Sequence, residues 1–119
     1  MAEHEPEESI FSRIMRGEIP ATLVHDDEYV IGLADIAPQA PIHVLFVPRH
    51  PIATLDDARP EHALLLGRLM LAAAAYARQV GIAKDGYRVV MNTNAEGGQS
   101  VYHIHLHLLG GRPMQWPPG

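Results

Sequence analysis

A chain of 119 residues, 47% of them hydrophobic, is the size of one domain with a single core. The formal net charge is −5 and there are only nine Lys and Arg, which excludes an extended nucleic-acid surface, because binding along a phosphate backbone is driven by clustered cations. There is no cysteine, which denies a metal site any thiolate ligand and fits a reducing compartment.

Residues 1–8 are acidic and lack the basic and apolar regions of a signal peptide, so they read as a disordered tail on a cytoplasmic protein, with the domain occupying 9–119. Ser9 is placed to cap a short helix over Ile10 to Arg16, which Gly17 ends. Leu23 to His25 and Tyr29 to Ala34 form a strand pair across the turn at Asp26-Asp27. Pro38 and Pro41 break the chain before Ile42 to Val47, whose β-branched, apolar content reads as a buried strand closed by Pro48. Pro60 and Glu61 suit the first turn of a helix running to about Val80, where Gly81 stops it. That helix is too alanine-rich and short to span a membrane. A strand follows at Tyr87 to Met91, then a glycine-containing loop, then a last strand over His103 to Leu109. Five strands joined by hairpins and one long helical crossover predict an antiparallel α+β domain with one long and one short helix, without internal repeat or linker.

In the long helix Leu64, Leu65, Leu66, Leu69, Met70, Leu71, Ala72 to Ala75, Tyr76 and Ala77 leave hardly any polar face, which predicts burial nearly all round. One sheet covers one side only. A second copy of the chain about a twofold axis is the simplest cover for the other.

The last strand carries the chemistry. In an extended chain His103, His105 and His107 share one face, with Ile104, Leu106 and Leu108 on the other. A packed row of imidazoles repels itself when charged, so a fold with no use for it has little reason to keep it. A metal site is one rival reading, since imidazole is the commonest metal ligand. At ~3.3 Å per residue, however, His103 and His107 lie about 13 Å apart, so all three share an ion only if the strand bends sharply. Just upstream, Asn92-Thr93-Asn94-Ala95-Glu96-Gly97-Gly98-Gln99-Ser100 is a turn-rich loop whose glycines permit close backbone approach, with a serine hydroxyl and an asparagine amide as donors. Beside a histidine row it reads as a phosphate cradle next to a nucleophile.

The pattern His-apolar-His-apolar-His-apolar-apolar resembles the histidine triad superfamily of nucleotide hydrolases and transferases. The segments Asp35 to His43, Gly97 to Tyr102 and Gly110 to Gly119 are similar to its histidine triad nucleotide-binding branch, and the resemblance runs from about Ile10 to the C-terminus. It implies a sheet continued across a homodimer, with each C-terminal tail reaching toward the partner's site. It implies hydrolysis of purine nucleoside 5′-phosphoramidates without a cofactor, AMP or GMP being product. It implies His105 as nucleophile and His43 and His103 as an outer hydrogen-bond relay. His107 and the Gly98, Gln99 and Ser100 backbone would bind phosphate, and Ser100 would also donate to the leaving group. Asn92 joins the nucleotide contacts, Asp35 holds the ribose hydroxyls, and Ile10, Phe11, Leu33 and Ile36 form the base pocket. Leu33-Ala34 stands where animal relatives tend to carry an aromatic residue and a histidine, which implies a roomier base pocket. A nucleotide-binding regulatory protein with incidental hydrolysis and a zinc-binding protein remain the alternatives. His4, His25, His50 and His62 match nothing in the family and read as solvated.

Overall fold

The computed structural model describes residues 8–119. The chain order is α1 (Ile10–Met15), β1 (Leu23–Asp26), β2 (Val30–Ala34), β3 (Ile42–Pro48), two 3-10 turns at Leu55–Asp57 and Pro60–His62, α2 (Ala63–Gln79), β4 (Tyr87–Val90) and β5 (Leu106–Gly110). The five strands form one antiparallel sheet in the order β1-β2-β3-β5-β4. This is the predicted α+β architecture. No helix among the described residues is long and apolar enough to cross a membrane.

The alternation of β3 decides what each face of the sheet does. Val44 and Phe46 point to the α2 side, where they pack with Leu106 and Leu108 of β5, Leu69 and Ala73 of α2, and Ile104. Leu45 and Val47 point to the opposite side, with Ile31 and Leu33 of β2 and Phe11 of α1. β2 and β3 are therefore covered on both faces, which is why their sequences read as nearly continuous apolar runs. Burying side chains such as Phe46, Leu69 and Leu108, each fully covered, stabilises the fold by roughly 1.5–3 kcal/mol apiece. At Gly32 a Cβ would stand 2.8 Å from the Cβ of His25, so only glycine lets β1 lie against β2 there.

As expected where one sheet covers one side, α2 is buried within this chain on one face, through Leu69, Ala72, Ala73 and Ala77, while Leu64, Met70 and Leu71 are exposed. Two expectations are corrected. The long helix begins three residues late, because Pro60-Glu61-His62 forms a separate 3-10 turn in which His62 Nδ1 accepts the Arg59 N–H at 2.9 Å. The last strand starts at Leu106, so His103, Ile104 and His105 lie outside it. Their stretch instead bonds to the segment that follows β3: Ile104 N–H donates to Ile52 O at 2.8 Å and His103 Nε2 lies 2.8 Å from Pro48 O. Of the remaining histidines, His25 and His62 are half-buried and hydrogen-bonded where a solvated reading was expected: His62 caps its turn and His25 Nε2 sits 2.6 Å from Asp27 Oδ2. His50 is exposed, as expected, and His4 lies outside the described residues.

Candidate active site

A cavity of about 500 Å³ opens on the α1 side of the sheet. Ile10, Phe11 and Ile14 of α1, Leu33 and Ala34 of β2, Leu45 of β3 and the connecting Ile19 to Thr22 line its apolar part. Asp35, Asn92, Ser100, His105 and His107 bring polar groups to the other end, with Ile36, Gly98 and Val101 alongside. An apolar slot with a few convergent polar groups at one end suits a flat apolar moiety carrying an anionic substituent. His43, His103 and Gln99 do not line it.

Local sequence explains the loop that supplies Ser100. A Cβ on Gly97 would meet Thr93 O at 2.3 Å, and Gly98 sits at φ +85°, so both positions demand glycine. The side chain of buried Gln99 holds the loop from inside: its Oε1 accepts Asn94 N–H at 2.9 Å, and its Nε2 donates to Ala53 O at 2.8 Å and Val101 O at 3.1 Å. The N–H groups of Gly98 and Gln99 are used within the turn, on Ala95 O and Asn94 O. The Gln99 side chain thus bolts the loop from inside, and the Ser100 hydroxyl and N–H and the Asn92 amide are among the loop groups that make no hydrogen bond within it.

The three histidines of the row have different surroundings, and a chain of hydrogen bonds fixes the proton on each. His103 is fully buried. A carbonyl only accepts, so the contact with Pro48 O places the ring proton of His103 on Nε2. His105 Nδ1 lies 2.9 Å from the His103 carbonyl, which by the same logic puts its proton on Nδ1 and leaves Nε2 with a free lone pair. His43 Nδ1 accepts Gln39 N–H at 3.0 Å, so its proton is on Nε2, which faces His107 Nδ1 at 2.9 Å and Asp35 Oδ2 at 3.3 Å. His107 is then the acceptor at Nδ1 and keeps a proton on Nε2. The result is one imidazole with a free lone pair, His105, beside one with a free donor, His107, their ring centres 5.2 Å apart.

Electrostatics agree with neutral rings. Burial holds His43, His103 and His105 below the ordinary histidine value of 6.5, against the opposing pull of Asp35 on His43 and of the Pro48 and His103 carbonyls on the other two. For His107 burial is joined by repulsion from His105 and His43, and its pKa falls to about 4. A neutral row keeps the nucleophilic lone pair available near pH 7.

The same proton assignment bears on metal binding. One ligand-capable atom each of Asp35, His43 and His107 lies within 4.8 Å of the others. A neutral His43 whose Nδ1 accepts Gln39 N–H carries its proton on Nε2, the atom that faces the other two, so only two of the three have a lone pair to give. The donor set does not fit a three-ligand ion without breaking the Gln39 bond.

The structure therefore brings together Asp35, Asn92, Ser100, His105 and His107 around one cavity with Ile10, Phe11, Leu33 and Ile36, and sets His43 and His103 behind them. The sequence reading missed Ile14, Ile19 to Thr22, Leu45 and Val101 as wall residues; the short apolar run after Gly17 was the local signal for Ile19 to Thr22, and alternation along the Ile42 to Val47 strand the signal for Leu45. It also read Ser9 as a helix cap and nothing more, whereas Ser9 Oγ lies 2.7 Å from His103 Nδ1.

The family profile of the HIT domain matches residues 16–114. The purine nucleoside phosphoramidase of Escherichia coli K12 is 56% identical over 108 residues, covering 91% of each chain. Among solved structures, a HIT family hydrolase from Legionella pneumophila superposes with a TM-score of 0.92 at 48% identity, covering 94% of this chain and all of that one. A histidine triad nucleotide-binding protein from Candida albicans gives 0.77 at 26% identity, covering 92% of this chain and 83% of that one. Sequence and fold agree over nearly the whole length, and the chain belongs to the HIT domain family.

Proposed function

We propose that this chain hydrolyses purine nucleoside 5′-phosphoramidates in two steps through a covalent nucleotidyl-His105. The observation that carries the reading is the bond from His105 Nδ1–H to the His103 carbonyl, because it leaves the Nε2 lone pair at the polar end of the cavity, next to Ser100 and His107. The identity to the Escherichia coli phosphoramidase supports the substrate class. Nε2 attacks the α-phosphorus and the phosphorus–amine bond breaks, the departing amine taking a proton that the Ser100 hydroxyl passes on from solvent water. A second water then attacks the same phosphorus, the phosphorus–histidine bond breaks, one proton of that water returns to solvent, and the nucleoside monophosphate leaves with neutral His105 restored. His107 Nε2–H and the Ser100 N–H stabilise the phosphate oxygens. His43 holds His107 in its donor form. Asp35 receives the ribose hydroxyls, and the α1 and β2 side chains sandwich the base.

Mass spectrometry of a quenched reaction tests this directly. The nucleotidyl adduct maps to His105, and His105→Ala abolishes turnover while nucleotide binding persists, since phosphate and ribose contacts come from other residues. An adduct on His103 or His107, or full turnover by His105→Ala, overturns the mechanism.

We further propose that two copies pair through α2. Leu64 and Leu71 stand seven residues apart on the same exposed face, 69% and 70% accessible, and no atom lies within 4 Å of a Cβ placed on the intervening Gly67. Small residues between large apolar ones let a second helix approach closely. Strand β4, at the edge of the sheet, is free to extend the pairing.

A further inference from the structure

Ser9 stands immediately before α1, and its Oγ has three hydrogen-bonding neighbours. It accepts the Ser12 N–H at 3.1 Å as the cap of α1, it lies 3.4 Å from the Ser12 hydroxyl, and it lies 2.7 Å from Nδ1 of the buried His103. Because the ring proton of His103 is committed to the Pro48 carbonyl, Nδ1 of the neutral ring has only a lone pair, and the Ser9 hydroxyl gives its one proton to this contact, much the shorter of its two possible acceptors. What lies at the two ends of this bond matters. On one side α1 carries Ile10, Phe11 and Ile14 of the cavity wall. On the other the His103 carbonyl holds the proton of His105. The Phe11 ring rests edge-on against both imidazoles, with centroids 5.7 Å from His103 and 5.1 Å from His105.

We propose that Ser9 is a positioning residue for the reaction, its hydroxyl locking the helix that walls the cavity to the residue that fixes the tautomer of the nucleophile. The proposal rests on the phosphoramidase reading for its kinetic consequence and on the hydrogen bonds alone for its spectroscopic one. Without the hydroxyl, His103 has no arrangement that satisfies both ring nitrogens: keeping the proton on Nε2 leaves Nδ1 unpaired, and moving it to Nδ1 leaves the Pro48 carbonyl facing a lone pair. The stretch keeps the Ile104 N–H bond to Ile52 O, but the His103 ring loses one of its two fixed contacts, and the carbonyl that accepts from His105 is held less firmly.

Capping and donation are separable by substitution. Glycine is nearly as good an N-cap as serine but has no hydroxyl, whereas threonine retains both functions. Steady-state kinetics on a nucleoside 5′-phosphoramidate should therefore show Ser9→Gly lowering kcat by about three- to tenfold, the scale of one lost buried hydrogen bond. The thermal unfolding midpoint of this variant falls by several degrees, since a buried ring nitrogen loses its partner, with the chain still folded at the assay temperature, and Ser9→Thr recovers both the midpoint and the rate. Imidazole ¹⁵N NMR of the substrate-free full chain supplies the second readout: in Ser9→Gly the His103 Nδ1 resonance moves toward that of a non-bonded nitrogen and the His105 resonances shift with it. Wild-type kcat in Ser9→Gly, a rate loss that Ser9→Thr does not restore, or His105 resonances that stay in place would each overturn the proposal. Because the NMR measurement contains no substrate, failure of the phosphoramidase reading, seen as turnover by His105→Ala, is distinguishable from failure of the Ser9 link.

Discussion

Arg112 grips the backbone carbonyl of Gln39 with two nitrogens of its guanidinium, Nε at 3.1 Å and Nη2 at 2.9 Å. The two residues are 73 positions apart. Gln39 in turn gives its N–H to His43 Nδ1, the bond that sets the proton positions on His43 and His107. The C-terminal segment thus reaches the active site through one residue, whose carbonyl and N–H lie in adjacent peptide groups. A planar fork can place two N–H groups on one carbonyl, but a lysine ammonium cannot reproduce that geometry. Arg112→Lys should lower kcat/KM by about two- to tenfold, corresponding to the roughly 0.5–1.5 kcal/mol of a net hydrogen bond. Kinetics of the purified variant at neutral pH check this, and an unchanged kcat/KM would mean that the loop holds itself.

Activity should be independent of added or removed metal. The Asp35, His43 and His107 cluster is compact enough to attract a divalent ion, but the Gln39 N–H on His43 Nδ1 keeps a proton on the nitrogen that would have to ligate it. Dialysis against a strong chelator should leave kcat and KM where they were. Loss of turnover on chelation, restored by zinc, would show that the hydrogen-bond chain rearranges around an ion and that the phosphate chemistry is routed differently.

Much of this was legible in the residues. The β-branched run of Ile42 to Val47, ended by Pro48, and the glycine at position 81 marked strand and helix limits, because φ restriction and backbone freedom act locally. The histidine row announced chemistry for an equally local reason. What it did not announce is its division of labour. The periodicity of His103, His105 and His107 is that of a strand, yet the first two leave the ladder because Pro48, Ile52 and Ala53 offer carbonyls to His103 Nε2, Ile104 N–H and Gln99 Nε2. Those partners lie some fifty residues away, and no local pattern encodes them. The task of the Gln99 side chain was illegible for the same reason: its partner Ala53 lies 46 residues away, and only its burial shows the side chain turned inward. Helix α2 was read correctly as apolar, but composition cannot say which faces meet this chain's own sheet.

The depressed histidines make both rate and stability sensitive to acid, and the signs are fixed. In the unfolded chain these imidazoles take up protons near their ordinary value of 6.5, while in the native chain they resist, His107 down to about 4. Across that interval the unfolded state holds more protons, so stability rises with pH and is lost as pH falls from about 6.5 toward 4. Urea unfolding at a series of pH values should show the midpoint declining through this window, and a His107→Asn variant should show a shallower decline. Because His105 shares the downward shift, the acid limb of kcat/KM should lie below 6.5. An acid limb at or above that value would indicate that the row gains a proton before the nucleophile does.

Asp35 has two tasks that substitution can separate. Its Oδ1 accepts the Ala37 N–H at 2.8 Å, which shapes the turn after β2, and its Oδ2 lies 3.3 Å from His43 Nε2 at the edge of the cavity. A carboxylate only accepts hydrogen bonds, and two adjacent oxygens suit the two hydroxyls of a ribose diol. Asp35→Ala should narrow the preference for a ribonucleoside phosphoramidate over its 2′-deoxy counterpart by ~1.5–3 kcal/mol, the value of a charge-assisted bond, or about ten- to 150-fold in the ratio of kcat/KM values. Asp35→Asn retains a turn-forming acceptor but loses the charge, so it should keep the fold's stability and surrender only part of the discrimination. Measuring kcat/KM for the paired substrates in all three proteins distinguishes the roles. If the ratio is the same in Asp35→Ala as in wild type, the ribose is held by other groups and Asp35 serves the turn and His43 alone.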